Sequence, residues 1–145
     1  MKKTQNIYSK QPLGKFLSGI GKSFLHVLNV KLNHLDIKRC YYALILIEEG
    51  KGKMTQQELA DLLESDKVSV VRVIDYLSDA GYVKRVRVDT DRRKYGLTLT
   101  AKAEKEMPLI KKSMAEVIQK ALKGLSEKKI EELYNTLNII KKNLN

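Results

Sequence analysis

The sequence predicts a mainly α-helical chain broken once, past its middle, by a small β-hairpin. Three observations carry that expectation. Apolar residues recur at spacings of three and four along most of the 145 positions, the mark of amphipathic helices. Between Val83 and Leu99 the spacing switches to two, as in paired strands. Only two prolines, Pro12 and Pro108, interrupt the chain, and there is no Gly/Ser tract or solenoid-length repeat, so residues 1–145 read as one domain.

Taken in order, the first helix opens at Pro12, whose missing N–H costs nothing in a first turn. Leu13, Phe16, Leu17, Ile20, Phe24, Leu25, Leu28 and Leu32 then form one apolar stripe. Asp36 is placed to cap a second helix running through Ile37, Tyr41, Leu44 and Ile47 to Gly50. That helix is apolar around most of its circumference and is expected to be buried on several sides. At the other end, Thr100 caps a long helix carrying Met107, Ile110, Met114, Val117, Ile118, Ala121, Leu122 and Leu125. Ser126 caps a last one with Ile130, Leu133, Leu137 and Ile140. Nothing in the middle of the chain is large enough to cover these stripes. A second copy is the economical cover, so 10–34 and 101–145 are expected to be dimerisation helices and the chain a homodimer.

The segment Met54–Val83 is the most specific stretch. Thr55 followed by Glu58 is a capping box that opens a short helix with Leu59, Ala60 and Leu63 facing inward. Glu64-Ser65 makes the turn, Ser65 or Asp66 caps the next helix, and Gly81 ends it. Two helices joined by so short a turn form a helix-turn-helix. On the second of them Val70, Val73, Ile74 and Leu77 share the buried face. At ~100° per residue, Val68, Arg72, Asp75 and Tyr76 point outward, flanked by Ser69 and Val71. Such a face has the chemistry of a major-groove reader. Arg72 can donate a bidentate pair to guanine or bind phosphate, Val68 or Val71 can touch a thymine methyl, Ser69 can bond a base edge or backbone, and Lys67 suits phosphate.

Val83–Val88 and Tyr95–Leu99 make the hairpin, with Val86 and Val88 on one face of the first strand and Tyr95, Leu97 and Leu99 on one face of the second. The connection Asp89–Lys94 is polar and longer than a tight turn. Arg92, Arg93 and Lys94 at its tip can approach a minor groove, whose negative potential attracts arginine. Asp89 and Asp91 would repel DNA if free, so one of them is expected to pair with an arginine as a wing salt bridge. A helix-turn-helix followed at once by a basic hairpin is a winged helix-turn-helix, here a lobe spanning 36–99.

Bulk properties agree. Lys plus Arg number 28 against 17 Asp plus Glu, a net charge of +11 that favours a polyanionic partner such as nucleic acid or an acidic membrane surface. The lone cysteine, Cys40, excludes an intramolecular disulfide and fits a reducing cytosol. Lys15 and Lys22 break the only candidate leader segment, and no apolar run approaches the ~20 residues of a membrane span, so a cytoplasmic protein without membrane contact is expected.

These motifs, in this order from about residue 13 to the C-terminus, resemble the MarR family of bacterial regulators. The resemblance rests on Thr55-Gln-Gln-Glu-Leu-Ala60, on Asp66-Lys67 with Val70 and Arg72, and on Asp75-Tyr-Leu77 and Gly81-Tyr-Val83. Asp91-Arg-Arg93 leading into Leu97-Thr-Leu-Thr100 is the most distinctive part. It implies the order α1-α2-α3-α4-β-β-α5-α6, an obligate dimer joined by the terminal helices, and repression through a pseudo-palindromic operator in double-stranded DNA. It further implies release by a small phenolic or amphipathic effector, or by cysteine oxidation. With the residues above, the expected DNA-contacting set is Thr55, Gln56, Lys67, Val68, Ser69, Val71, Arg72, Tyr76, Arg92, Arg93 and Lys94. The chain departs from the family in having Val71 where threonine is common, Val68 where a small polar residue is common, and Cys40 where an aromatic is common.

Cys40, Tyr41 and Tyr42, with the first and fifth helices, are candidates to line an effector pocket; core packing is the competing role. Sensor cysteines in the family usually lie in the first helix, and a small core residue is the better reading of Cys40. Gly14–Ser23 has the outline of a phosphate-binding loop, but Phe16 stands where glycine is needed and no strand precedes it. His26 and His34 lack metal-pair spacing, and no nucleophile–base set is visible, so neither a metal, a cofactor nor an enzymatic activity is expected. The competing functions are a sequence-tolerant architectural DNA binder and a winged-helix module for an acidic protein partner.

Overall fold

The computed structural model describes residues 12–88 and 91–145, with residues 91–93 described by their backbone only. Among the described residues the elements are α1 (Leu13–Lys31), α2 (Tyr41–Glu49), α3 (Gln56–Leu62), α4 (Lys67–Asp79), β1 (Val83–Val88), β2 (Asp91–Leu99), α5 (Ala101–Ala121) and α6 (Glu127–Leu144). This is the predicted order.

Local chemistry explains most of the boundaries. The Thr55–Glu58 capping box forms in both directions: the Glu58 amide donates to Thr55 Oγ1 at 3.1 Å, and the Thr55 amide to Glu58 Oε2 at 2.8 Å. Asp66, not Ser65, caps α4, accepting from the Ser69 amide at 2.8 Å. Thr100 and Ser126 cap α5 and α6 as expected. Gly81 takes the left-handed conformation (φ 81°) that closes α4.

One predicted boundary fails. Asp36 caps nothing: α2 begins at Tyr41, behind a left-handed Cys40 (φ 67°) that makes no side-chain cap bond. The Asp36 carboxylate is instead paired with Lys102 of α5. The intervening residues 36–40 form a non-helical loop, pinned by Ile37, which is fully buried.

The core lies in the central block. Leu32, Ile37, Leu44, Ile47, Leu59, Val70, Ile74, Leu77, Tyr82 and Leu97 meet Met107 and Ile110 from the first half of α5. Burying one such side chain contributes about 1.5–3 kcal/mol. By contrast, α1 buries only Leu28 and α6 buries nothing.

The hairpin pairs antiparallel, with Val83 opposite Leu99, Arg85 opposite Leu97 and Arg87 opposite Tyr95, and with an irregular step between Arg87 and Val88. β2 begins at Asp91, so Asp91–Lys94, read from the sequence as loop, belong to the strand. Leu97 and Leu99 share their face with Val83 and Arg85; Val86 and Val88 lie on the opposite one. The far edge of β2 is held by residues 50–54, through the Leu97 amide donating to the Met54 carbonyl at 2.7 Å. Gly96 makes that approach possible, since a Cβ there would overlap the Gly52 carbonyl oxygen.

Candidate nucleic-acid interface

Two elements shape the site. α3 packs across α4, and the tight turn between them is closed by Glu64 in the left-handed region (φ 51°) and by the Ser65 amide donating to the Ala60 carbonyl at 2.9 Å. α4 turns Val70, Ile74 and Leu77 into the core and half-buries Val73, which leaves Lys67, Val68 and Arg72 exposed on the other side. Val68 and Arg72 are one helical turn apart and share a face. Val68 is 63% exposed, unusually open for a large apolar side chain.

Beside this face runs a groove between the hairpin and the N-terminal ends of α3 and α4. It is lined by Thr55, Gln56, Lys67, Arg85, Lys94 and Tyr95, among others. Four members of the sequence-derived set, Thr55, Gln56, Lys67 and Lys94, thus meet at one groove, with cationic groups from both α4 and the hairpin. Arg85 was not foreseen. Its Nε donates to Gln56 Oε1 at 2.7 Å and its guanidinium to Asp75 Oδ1 at 3.0 Å, so one side chain ties the hairpin to α3 and α4 together. The fork geometry of arginine suits such a two-partner role. Asp75, expected to point freely outward, is engaged by it. Alternation along β1 marks Arg85 only as a polar residue among others, and its partners lie 10 and 29 positions away.

Other assignments change more. Ser69 donates its hydroxyl to Asp66 Oδ2 at 2.6 Å, so the hydroxyl hydrogen serves the α4 cap rather than standing free for a base edge. The same hydroxyl, with the Ser69 amide, holds the Asp66 carboxyl below its usual range. Val71 is half-buried on the flank of α4. Tyr76 does not point outward. Its hydroxyl accepts the Lys38 amide at 2.9 Å, and the Arg39 guanidinium lies 4.6 Å from its ring centroid. The helical wheel put Tyr76 on the open face because nothing local announces that loop 36–40 folds over it. Of the wing residues, Asp89 and the side chains of Asp91, Arg92 and Arg93 lie outside the described residues.

The suggested effector residues are not brought together. Tyr41 is buried, with its hydroxyl 2.6 Å from Asn29 Oδ1 of α1 and 3.1 Å from the Ile37 carbonyl, and burial pushes its pKa up to about 12. Tyr42, next to it on α2, is exposed. Cys40 is half-buried, and burial pushes its thiol up, against a smaller downward pull from Arg39. An apolar cavity does exist between α1 and α5, lined by Ile20, Phe24, Val27, Val117 and Ala121 with Ser23 and Lys120 at its rim. No helix among the described residues is long and apolar enough to cross a membrane.

A capped helix pair with one exposed reading face, followed directly by a cation-bearing hairpin tied back onto it, defines a winged helix-turn-helix protein. Residues 37–94, the stretch holding that arrangement, match the profile of the MarR family. Over that stretch the chain is similar to the MarR family. The HTH-type transcriptional regulator YybA of Bacillus subtilis (strain 168) is 25% identical over 126 residues, covering 86% of this chain and 83% of its own length. The crystal structure of a MarR transcriptional regulator from Methanosarcina mazei Go1 is 29% identical and superposes with a TM-score of 0.72 over 90% of this chain and 94% of that one. The fold is shared as well by a MarR family regulator of Listeria monocytogenes crystallised with a 26-mer DNA, at 24% identity and a TM-score of 0.78, over 92% of this chain and 89% of that one.

Proposed function

We propose that this chain is a transcriptional regulator that binds a pseudo-palindromic operator as a homodimer, acting as a repressor. The observation that carries the reading is the exposed Lys67–Val68–Arg72 face of α4 standing beside a groove whose other wall carries Lys94. Arg72 is the base reader and Lys67 the phosphate anchor, while Val68 offers a methyl-sized apolar contact to thymine. Arg85 keeps the two walls of the groove in register. The net charge of +11 supplies the sequence-independent part of the affinity.

Two copies are needed because one covers its terminal helices so poorly. Leu13, Phe16, Leu17 and Ile20 of α1 and Leu133, Tyr134 and Ile139 of α6 are all exposed in the single chain. Large apolar side chains left exposed in such number mark an interface. Pairing through α1, α5 and α6 would set the two α4 helices about one DNA turn, ~10 base pairs, apart. Release by a small phenolic or amphipathic effector is the part of this reading that residues 40–42 support least, because the Tyr41 hydroxyl is bonded inside the protein and Tyr42 is exposed. The chain's place is the cytoplasm, where its DNA target lies.

The test is a binding titration of the purified protein against its own promoter region and a scrambled duplex of equal length, at physiological salt. The reading requires saturable binding at two subunits per site, with a preference of at least about a thousandfold for the promoter. Equal affinity for both duplexes would replace it with an architectural role, and binding to neither would leave a protein-interaction module.

A further inference from the structure

Lys102, in the first turn of α5, sits at an unusual junction. Its ammonium donates to Asp36 Oδ2 at 2.5 Å and to the Ala80 carbonyl at 2.9 Å, and it lies 4.8 Å from the centroid of the Tyr82 ring. Three separate parts of the chain meet there: the α1–α2 loop, the last turn of α4, and the start of α5. The Ala80 carbonyl belongs to the C-terminal end of α4, where the helix dipole and unpaired carbonyls favour a cation. Thr100 adds two bonds at the same end, its hydroxyl donating to the Gly81 carbonyl at 2.6 Å and its amide to the Tyr82 carbonyl at 3.0 Å. One turn earlier on α4, Tyr76 takes the Lys38 amide and the Arg39 guanidinium from the same loop. Loop 36–40 therefore holds α4 directly at Tyr76 and, through Lys102 of α5, at Ala80.

Stability does not explain this arrangement. The Lys102 and Asp36 side chains are 47% and 64% exposed, and an exposed pair contributes little to folding. What the pair does is tie the end of α4 to its neighbours, because the Lys102 ammonium bonds the Ala80 carbonyl and the Asp36 carboxylate at once. We infer that Lys102 and Asp36 are positioning residues for DNA reading: they hold the end of α4 against α5 so that Arg72 and Val68 meet the groove in one orientation. The inference rests on the DNA-binding reading above and adds to it a pair of residues that do not touch DNA.

The charges make it testable, since removing Asp36 and removing Lys102 shift the net charge in opposite directions. If Lys102 served only as a positive charge near DNA, Asp36→Asn would tighten binding. As a positioning pair, Asp36→Asn and Lys102→Met should both lower the preference for operator over scrambled duplex, by roughly threefold to tenfold. The double variant should be no worse than Lys102→Met alone. The salt dependence of Lys102→Met should stay unchanged, whereas loss of a phosphate contact would reduce its slope by about 0.9. Hydrogen exchange on the free protein reads the junction without DNA: peptides covering 36–40 and 78–82 should exchange faster in both variants, with the rest of the chain unaltered. Unchanged exchange at those peptides, or tighter operator binding by Asp36→Asn, overturns the inference. Should the wild-type protein show no operator preference at all, the DNA-binding reading fails, while the exchange measurement still decides whether the pair positions α4.

Discussion

The central block and the outermost helices, α1 and α6, follow the same apolar periodicity and end in opposite states. In the block, Leu44, Leu59, Ile74, Leu77 and Leu97 are completely buried within a single chain. In α6, Ile130, Leu133, Leu137 and Ile140 keep a helical stripe as regular as any in the block, yet no residue of α6 is buried. Both follow the same hydrophobic periodicity, so the periodicity tells which face is apolar and says nothing of whose surface covers it. The block and the first half of α5 are covered within one chain, whereas α1 and α6 keep most of their stripes exposed, as the proposed dimer requires.

That contrast can be broken most forcefully in the core. Leu77→Ala should cost about 2–5 kcal/mol of folding stability, seen as a denaturant midpoint lowered by the same amount at every protein concentration. Phe16→Ala on α1 should leave the folding of the block alone and weaken self-association, by about 1.5–3 kcal/mol for each buried ring. Sedimentation equilibrium would register this as at least a tenfold rise in the dimer dissociation constant. A concentration-independent loss for Phe16→Ala would place that ring in the intrachain core and erase the distinction.

Within the block, the reading face can be divided further. Arg72→Ala should lose about 1–3 kcal/mol of discrimination between operator and scrambled DNA, whereas Lys67→Ala should weaken both duplexes alike and flatten the salt dependence by about 0.9 in slope. Identical profiles for the two variants would mean that Arg72 also holds only phosphate. Smaller still, Thr55→Ala removes one half of the capping box and should lower thermal stability by about 1 kcal/mol, visible in calorimetry with no change in oligomeric state.

The smallest effect concerns the seam between the regions, at Cys40. Burial raises its thiol, and the thiolate is the reactive form. Labelling by a disulfide reagent should therefore be slow at neutral pH and climb only above the pH at which an exposed thiol ionises. The sign for stability is the same: a raised folded value favours the native state below the unfolded thiol's pKa and loses that contribution as pH rises through the folded one. Rapid labelling at neutral pH would revive Cys40 as an oxidation sensor.

How much of this was legible depended on the reach of each interaction. Thr55 with Glu58, Asp66 with Ser69, Thr100 with Ala103 and Gly81 at the end of α4 are partners within three positions or lone conformational demands, and the sequence displays them directly. Asp36 looked like one more cap because capping chemistry suits any aspartate before an apolar run. Its partner stands 66 positions away, where no local pattern reaches. Tyr76 and Arg85 follow the same rule, each claimed by a distant element. The exposure of Lys67, Val68 and Arg72 on α4 was legible because it is what remains after the buried positions are subtracted. The wing's strand boundary was not, because polar residues 91–94 carry no strand pattern and join β2 through an irregular pairing step between Arg87 and Val88.

Gly96 gives the hairpin a mechanical character. With the Gly52 carbonyl occupying the space of its missing side chain and Met54 bonded to Leu97 beside it, the base of the wing is clamped like one end of a cantilever. Everything beyond the clamp can be lengthened, shortened or recharged without levering the core. A designer wishing to retarget the wing would thus work outward from Tyr95 and leave the glycine in place. A lineage under selection for new operators would have the same freedom at the tip and the same prohibition at the base.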